Sequence, residues 1–269
     1  MCEAIGSTGL NDIPDYENYD YKAQWADRSI VDRAEKELIV GLLKGKRECL
    51  ELGGGFGRIT AALEPSFSEV VMTDYSNRSL RAAQGSLTKA LITRCDIRML
   101  PFRDDSFGSA IAVRVLHHIK NLQQLIGELV RVCRDGATVV FAVPNPLLGR
   151  YQGIGQNHKV LIGKWNHVAY AHSLEEYGHP QLTLVEVRGS GIFDNRIGRR
   201  LNGFPNLSKF DVLTSRVWLF KPVIFLKYRI DKGKNGGRRD NGPDSPPRPR
   251  MDYTRSQTAR KWSPSRFQG

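Results

Sequence analysis

The sequence predicts an α/β fold with an open, doubly wound and mostly parallel sheet of seven strands. Two patterns indicate it: short apolar runs typical of buried strands alternate with segments of helical period, and a glycine-rich turn follows the first of those strands. Strands and helices that alternate in this way form βαβ units, with a parallel sheet between layers of helices. The chain has 269 residues, 40 % of them apolar, which suits one such domain with extensions.

The first half of the domain is predicted to contain three strands and three helices. Apolar residues at every fourth position predict a helix over residues 29–45. Further along, short apolar and β-branched runs predict strands, and the segments between them have helical spacing. The strands are expected at 49–52, 69–74 and 90–94, and the next two helices at 59–63 and 77–87.

The second half is predicted to add four strands. The clearest helical stripe of the sequence begins at Leu122 and is expected to end at the turn Asp135-Gly136. Ser173 and Glu176 have the spacing of a capping box, which predicts a short helix there. Residues 210–220 are also expected to be helical. The four strands are expected at 109–113, 138–143, 182–187 and 222–230.

Changes in composition divide the chain. Residues 1–24 are acidic, rich in tyrosine and without a clear period, so they are expected to be an N-terminal extension of a domain at 25–230. Residues 145–180 are expected to hold a lid or substrate insertion. Residues 231–269 contain ten Lys and Arg against four Asp, which is half of the net charge of +12, and few aliphatic residues. Such a segment is predicted to be a disordered basic tail with a weak attraction to polyanions.

The composition also limits the class of protein. We expect a soluble, cytoplasmic protein, because no secretory signal and no apolar run long enough to span a bilayer is visible. The four cysteines lie tens of residues apart, and the histidines lack the spacing of metal ligands. Reduced thiols are therefore expected, and no metal is predicted.

The chemistry is expected at the glycine-rich turn. Gly53, Gly55 and Gly57 follow the first strand directly, and the lack of Cβ atoms lets the backbone turn sharply and approach a ligand. In an open α/β sheet, ligands bind beyond the carboxyl ends of the strands. Asp74 ends the second strand, where its carboxylate can accept both hydroxyls of a ribose, and Asp96 follows the third, where it can accept from an exocyclic amine.

Together these features resemble the class I methyltransferases that use S-adenosylmethionine (SAM), in particular the type 11 group that includes enzymes of ubiquinone and menaquinone pathways. The resemblance covers roughly residues 33–145 and implies a Rossmann-like fold. One departure is Gly108, where the family usually has Asp. The resemblance rests on residues 50–58, Asp74, residues 95–107, residues 115–119 and residues 128–145.

The resemblance also implies roles for single residues in binding SAM. Glu51 and the backbone of residues 53–57 would hold the methionine part. Asp74 would bind the ribose and Asp96 the adenine amine. Ile97 would meet the adenine ring through its amide, and the backbone of Arg114 would line the site.

The main rival is a domain that binds a nicotinamide dinucleotide, which also has an acid after its second strand. Its G-x-G-x-x-G/A pattern does not fit, because the third glycine position holds Arg58 when counted from Gly53 and Thr60 when counted from Gly55. The acid two residues before the first glycine, Glu51, also favours SAM. A purely structural glycine turn is the remaining alternative.

The sequence does not assign a catalytic residue. A general base is needed only where the acceptor must lose a proton. Weak candidates are His118, near the fourth strand, and three residues of the insertion, and each of them is also consistent with a structural role. Those three are His158, His167 and Tyr170, with His172 close by.

Three functions follow from this reasoning. The leading one is transfer of a methyl group from SAM to a small molecule or a lipid precursor. The second keeps the enzyme and makes RNA the acceptor, since the tail is basic. The third is a SAM-binding protein without turnover. The acceptor, the atom methylated and the oligomeric state stay open.

Overall fold

The structure is a computed structural model. It describes residues 21–43, 45, 47–148, 159–161, 168–193, 200–201, 204 and 206–233. Most of the expected N-terminal extension and nearly all of the expected basic tail lie outside these residues, as do parts of the expected insertion.

The centre of the molecule is a seven-stranded sheet in the order β3-β2-β1-β4-β5-β9-β8. Neighbours among β1 to β5 run parallel, and β9 runs antiparallel to β5 and to β8. The predicted α/β fold with a mostly parallel sheet is thus confirmed. The strands are β1 Glu48–Leu52, β2 Glu69–Asp74, β3 Leu91–Arg94, β4 Phe107–Val113, β5 Cys133–Pro144, β8 Leu182–Ser190 and β9 Val223–Ile230, and a separate antiparallel pair is formed by β6 Lys159–Leu161 and β7 Val168–Tyr170.

Helices cover both faces of this sheet. Within the described residues, no helix is both long enough and apolar enough to span a membrane. The helices are α1 Tyr21–Gln24, α2 Ser29–Leu42, α3 Thr60–Leu63, α4 Asn77–Gln84, α5 Leu122–Val132 and α6 Asn206–Leu213, with 3-10 turns at Leu116–His118, Glu175–Tyr177 and Trp218–Phe220.

Alternation along the central strands divides the core in two. Leu50 and Ala110 belong to the cluster that contains the apolar residues of α5, whereas Cys49 and Ile111 belong to the cluster that contains those of α2 and α3. Successive side chains of a strand point to opposite faces, so one strand supplies both layers.

The strand order reverses at β1. The chain passes from β1 to β2 on one side of it, and β4 lies on the other side. This reversal places a crevice at the carboxyl ends of β1, β2 and β4.

Two predicted helices differ from the structure because of contacts with distant parts of the chain. Helix α5 ends at Val132 rather than at Asp135-Gly136, because Cys133 already pairs with Phe107 at the start of β5. The helix expected over 210–220 is instead α6, and the 3-10 turn at Trp218–Phe220 follows it separately. The chain bends between them because the Lys221 ammonium reaches back to the backbone carbonyl of Asp211 at 3.3 Å.

The predicted capping box at Ser173 does not form either. The Glu176 carboxylate lies 2.5 Å from Nδ1 of His172, so it is not available to the backbone at Ser173. The Ser173 hydroxyl has no hydrogen-bond partner in the part of the chain that the structure describes. The segment forms the short 3-10 turn Glu175–Tyr177 instead.

A fully buried ion pair holds α6 against the sheet. The Lys221 ammonium lies 2.6 Å from the Asp211 carboxylate, and the Thr214 hydroxyl also lies 2.8 Å from it. The second carboxylate oxygen of Asp211 accepts hydrogen bonds from the Ser190 hydroxyl and the Gly191 amide. A buried charge pair is tolerated when its remaining hydrogen-bonding positions are occupied in this way.

The substitution Asp211→Asn tests this pair. It leaves the Lys221 ammonium buried without a counter-charge, so the free energy of unfolding should fall by about 3 kcal/mol. Urea denaturation followed by circular dichroism measures it. Asp104→Asn is the matched control, because Asp104 forms an exposed ion pair with Arg131 and its loss should change the free energy by less than about 1 kcal/mol. Equal effects of the two substitutions would contradict this account.

Candidate functional site

The glycine turn after β1 is sharply bent and open on one side. Gly53, Gly55 and Gly57 have φ angles of 64°, 59° and 82°, in the region that favours glycine. A Cβ atom on Gly53 would lie 2.5 Å from the side chain of Val115, so the chain passes too close to the segment after β4 for any other residue. A Cβ on Gly55 would meet no atom within 4 Å. The turn therefore packs on the protein at Gly53 and presents bare backbone to open space at Gly55.

Asp74 fixes this turn from the end of β2. Its Oδ2 accepts a hydrogen bond of 2.7 Å from the Gly55 amide, and its Oδ1 accepts one of 2.9 Å from the Ser76 amide. The Gly54 amide donates to the carbonyl of Thr73 at 3.0 Å. Hydrogen bonds from amides to a carboxylate are among the stronger ones in proteins. One side chain thus joins the loops that follow two neighbouring strands.

Glu51 is buried at the end of β1, on the same edge. The hydroxyl of Thr60, at the start of α3, donates a hydrogen bond to its carboxylate. Burial, aided by the negative charge of Asp74, outweighs the Thr60 hydrogen bond and the charge of Arg58, and the pKa of Glu51 rises to about 7. The carboxyl group is therefore balanced between its neutral and ionised forms near pH 7.

The structure brings Asp96 to this edge but gives it a partner of its own. Arg98 binds both carboxylate oxygens, with its Nη2 2.7 Å from Oδ2 and its Nε 3.0 Å from Oδ1. The neighbouring Ile97 is buried in the core cluster on the α5 side of the sheet. Neither residue has a direct hydrogen bond to the glycine turn among the contacts described, so their assignment to the adenine group stays a prediction.

Arg114 follows β4 with an unusual backbone. Its φ is 54°, which is rare for a residue other than glycine, and its amide donates to the carbonyl of Ala142 in β5. Its guanidinium turns toward α2, where Nη2 lies 2.6 Å from the carboxylate of Glu35. The role expected for Arg114, to line the site with its backbone, also stays a prediction.

A cluster that the sequence analysis missed joins α2 to the site. Glu35 is fully buried and binds two guanidinium groups, that of Arg114 and that of Arg58, which follows the glycine turn directly. The Arg58 guanidinium also lies 3.6 Å from the centre of the Trp25 ring and 2.8 Å from the carboxylate of Asp32. Burial raises the pKa of Glu35, but the two positive charges outweigh it and hold that pKa below its ordinary value. A sequence signal existed, since Glu35 interrupts an apolar row of α2.

Three of the candidates for a general base lie within the described residues, and they differ in their surroundings. His118 lies in the 3-10 turn after β4, with its ring 4.0 Å from that of His117. Tyr170 is buried at the end of β7. His172 contacts two acceptors, the Glu176 carboxylate and the Ile119 carbonyl, at 2.5 and 2.9 Å, so both of its ring nitrogens are engaged within the protein. His158 and His167 lie outside the described residues.

No metal centre is visible in the described part of the chain, where His, Cys, Asp and Glu side chains do not converge in groups of three or more. Of the described cysteines, Cys49 and Cys133 are buried in the core and Cys95 is partly buried. Burial raises the pKa of Cys49, Cys95 and Cys133 to about 12, so these thiols are not nucleophiles at neutral pH.

Comparison with known proteins agrees with this geometry. Residues 50–141 match the model of a family described as a methyltransferase domain. A demethylmenaquinone methyltransferase from Clavibacter sepedonicus is 31 % identical over 108 residues, which are 38 % of this chain and 44 % of that protein. The chain therefore covers less than half the length of this curated relative.

Solved structures share the fold at low sequence identity. A SAM-dependent methyltransferase from Mesorhizobium loti has a TM-score of 0.54 at 19 % identity, over 73 % of this chain and 97 % of that one. A SAM-dependent methyltransferase from Thermotoga maritima has a TM-score of 0.58 at 14 % identity, over 78 % of this chain and 95 % of that one. At such identities the likeness concerns the fold.

The pKa of Glu51 gives a test of the site's electrostatics. A pKa that is raised on folding stabilises the folded protein at low pH, and this contribution is lost as pH rises through about 7. Glu51→Gln keeps an acceptor for the Thr60 hydroxyl and cannot ionise. Relative to the wild type, the free energy of unfolding of this variant should therefore increase between pH 5 and pH 8, by on the order of 2 kcal/mol.

Urea unfolding at both pH values measures the difference. Glu48→Gln is the control, because Glu48 lies at the opposite end of β1 and pairs with Arg134 near the surface. Parallel pH profiles for the wild type and Glu51→Gln would contradict the assignment.

Proposed function

We propose that the protein transfers a methyl group from SAM to a small molecule or a lipid precursor, because residues 50–141 match the model of a family described as a methyltransferase domain. One observation supports this most strongly. The bare backbone at Gly55 faces open space beside the carboxylate of Asp74, and Glu51 lies near the end of the neighbouring parallel strand at the same edge. A ligand with positive charge and a sugar hydroxyl pair matches such a crevice.

The residues at this edge fit SAM by their chemistry. SAM supplies an electrophilic methyl group on a sulfonium, beside an ammonium group and a ribose. Glu51 and the backbone of residues 53–57 would hold its methionine part, and Asp74 its ribose, since each carboxylate oxygen that binds one amide keeps a further lone pair. Asp96 and Ile97 would hold the adenine, and Arg114 would line the site.

The protein's own contribution is alignment and exclusion of water. A sulfonium already provides an excellent leaving group, so position matters more than a strong acid or base. Asp74 fixes the glycine turn, and Glu35 fixes the two arginines that follow the turn and β4. A general base would be required only if the methylated molecule must lose a proton. In that case His118 and Tyr170 are the candidates among the described residues.

The choice of a small molecule or lipid precursor as acceptor rests on relatives. The curated relative from Clavibacter sepedonicus acts on demethylmenaquinone, as its name states. The basic composition of residues 234–269 favours RNA as the second candidate. Asp231 forms an ion pair with Arg229, and Lys232 forms one with Asp105, both in the body of the domain. A truncation that tests the tail should therefore begin after Gly233.

Asp74→Ala tests the cofactor site. It removes a charged acceptor from the ribose and releases the Gly55 amide, so the affinity for SAM in calorimetry should fall by about a hundredfold or more. Asp104→Ala, which removes an exposed carboxylate of the same type, should leave the affinity unchanged. Because Asp74 also holds backbone, circular dichroism and a melting curve must accompany the titration. A folded Asp74→Ala protein with wild-type affinity would contradict the assignment.

The acceptor class is tested with labelled SAM. The full chain and a chain ending at Gly233 are incubated with a metabolite and lipid extract and, separately, with total RNA. We expect label in the small-molecule fraction and equal rates for both chains. Label in RNA that disappears with the truncation would favour the second candidate, and SAM binding without transfer to either fraction would indicate a protein without turnover.

A further inference from the structure

Helix α6 is partly inverted: two of its polar residues are buried against the protein, and two of its large apolar residues face outward. Ser208 and Asp211 are buried, and Ser215, just after the helix, is buried too. On the outer side Phe210 is half exposed and Leu213 is 80 % exposed. A helix on a globular protein normally has the opposite arrangement. The buried ion pair of Asp211 with Lys221 is what holds α6 in this orientation.

The exposed apolar residues continue beyond the helix. The turn Trp218–Phe220 places Phe220 at 74 % exposure. Asn145, which follows β5 and is buried, fixes that turn by donating from Nδ2 to the carbonyls of Trp218 and Lys221 at 3.1 and 3.0 Å. We call the whole set the apolar surface; it consists of Phe204, Phe210, Leu213, Val217, Leu219 and Phe220.

The charges around the apolar surface are mostly positive. In the described part of residues 200–222, the exposed charged residues are Arg200, Lys209 and Arg216, and the single acid, Asp211, is buried and paired. Beside the apolar surface, an open cleft between α2 and α6 is lined by three basic residues and by one acidic residue, Glu37. The basic residues are Arg33, Lys36 and Lys209. Lys36 is paired with Asp32, so Arg33 and Lys209 supply most of the cleft's positive charge.

One part of the apolar surface, residues 217–220, lies at the same edge of the sheet as the glycine turn. Val223, at the start of β9, pairs with Pro144 at the carboxyl end of β5, and residues 217–222 directly precede it. The carboxyl end of β5 is on the same edge as those of β1, β2 and β4, because these strands are parallel. A partner on the apolar surface would therefore face the side of the domain from which an acceptor enters.

We propose that the apolar surface and its basic surroundings bind the surface of a bilayer with anionic lipids. Aromatic and aliphatic side chains bordered by Lys and Arg are what an interfacial membrane contact requires: the apolar groups enter the headgroup region, and the cations meet its negative charge. This contact goes beyond the proposed function, and vesicle binding is measurable without methyl transfer.

Charge argues against two other occupants. In a symmetric dimer through this surface, Lys209 and Arg216 of one copy would face the same cations of the other. Residues 234–269 are also basic, so they would be repelled from the same region. An anionic lipid surface meets neither objection.

The test is flotation of the full chain with two kinds of vesicle, phosphatidylcholine alone and phosphatidylcholine with a third of phosphatidylglycerol. We expect binding to the anionic vesicles that weakens in high salt. The triple variant Phe210→Gln, Leu213→Gln, Phe220→Gln should lose about tenfold or more of it, because it removes the apolar contact. The charge variant Lys209→Gln, Arg216→Gln should lose part of the salt-sensitive binding, beyond what residues 234–269 supply.

Leu184→Gln, Val185→Gln is the matched control, since both residues are half exposed and lie on β8, away from the apolar surface. It should bind as the wild type does. The proposal is overturned if the full chain does not bind anionic vesicles, or if the triple variant, folded by circular dichroism, binds as well as the wild type. It is also overturned if sedimentation shows a stable dimer that the triple variant dissolves.

Discussion

The carboxylate of Asp74 holds the candidate site together. It accepts the Gly55 amide with one oxygen and the Ser76 amide with the other, so the loops after β1 and β2 cannot move apart without losing a charge-assisted hydrogen bond. The bend it fixes is possible only because glycine can adopt positive φ at three alternate positions. The open face at Gly55 is a consequence of both features.

The pKa values of two other buried carboxyl groups near this site differ according to their partners. Glu51 has a hydroxyl as its partner, and burial dominates, so its pKa rises to about 7. Glu35 is equally buried, but two guanidinium groups keep its pKa low. One carboxyl group can therefore respond to a cationic ligand near neutral pH, while the other is a fixed anchor for Arg58 and Arg114.

Much of the fold could be predicted from the sequence, because strands buried on both faces are continuous apolar runs and α5 has an unbroken apolar stripe. Six strands of the sheet were predicted within three residues of their ends, β5 begins five residues earlier than expected, and the fold class is confirmed. The errors occurred where distant contacts decide local structure: Cys133 pairs with Phe107 and ends α5, and Lys221 reaches Asp211 and bends the chain after α6. Periodicity contains no information about such contacts.

The site could be predicted in part, because spacing along the chain shows which residues lie at the ends of neighbouring strands. Spacing placed Glu51, the glycine turn and Asp74 at neighbouring strand ends, and the structure shows them at one edge. The pairing of Asp96 with Arg98, and the cluster of Trp25, Glu35 and Arg58, depend on side-chain directions that spacing does not define. The family pattern does not identify the residues that would bind the methyl acceptor beyond β5, because the matched segment ends at residue 141.

The central claim is that this edge binds SAM rather than a nicotinamide dinucleotide. Isothermal titration of the wild-type protein with SAM and, separately, with NAD⁺ tests it most directly. The account predicts saturable heat with SAM at one site per chain and none with NAD⁺. Binding of NAD⁺ with no heat from SAM would contradict it.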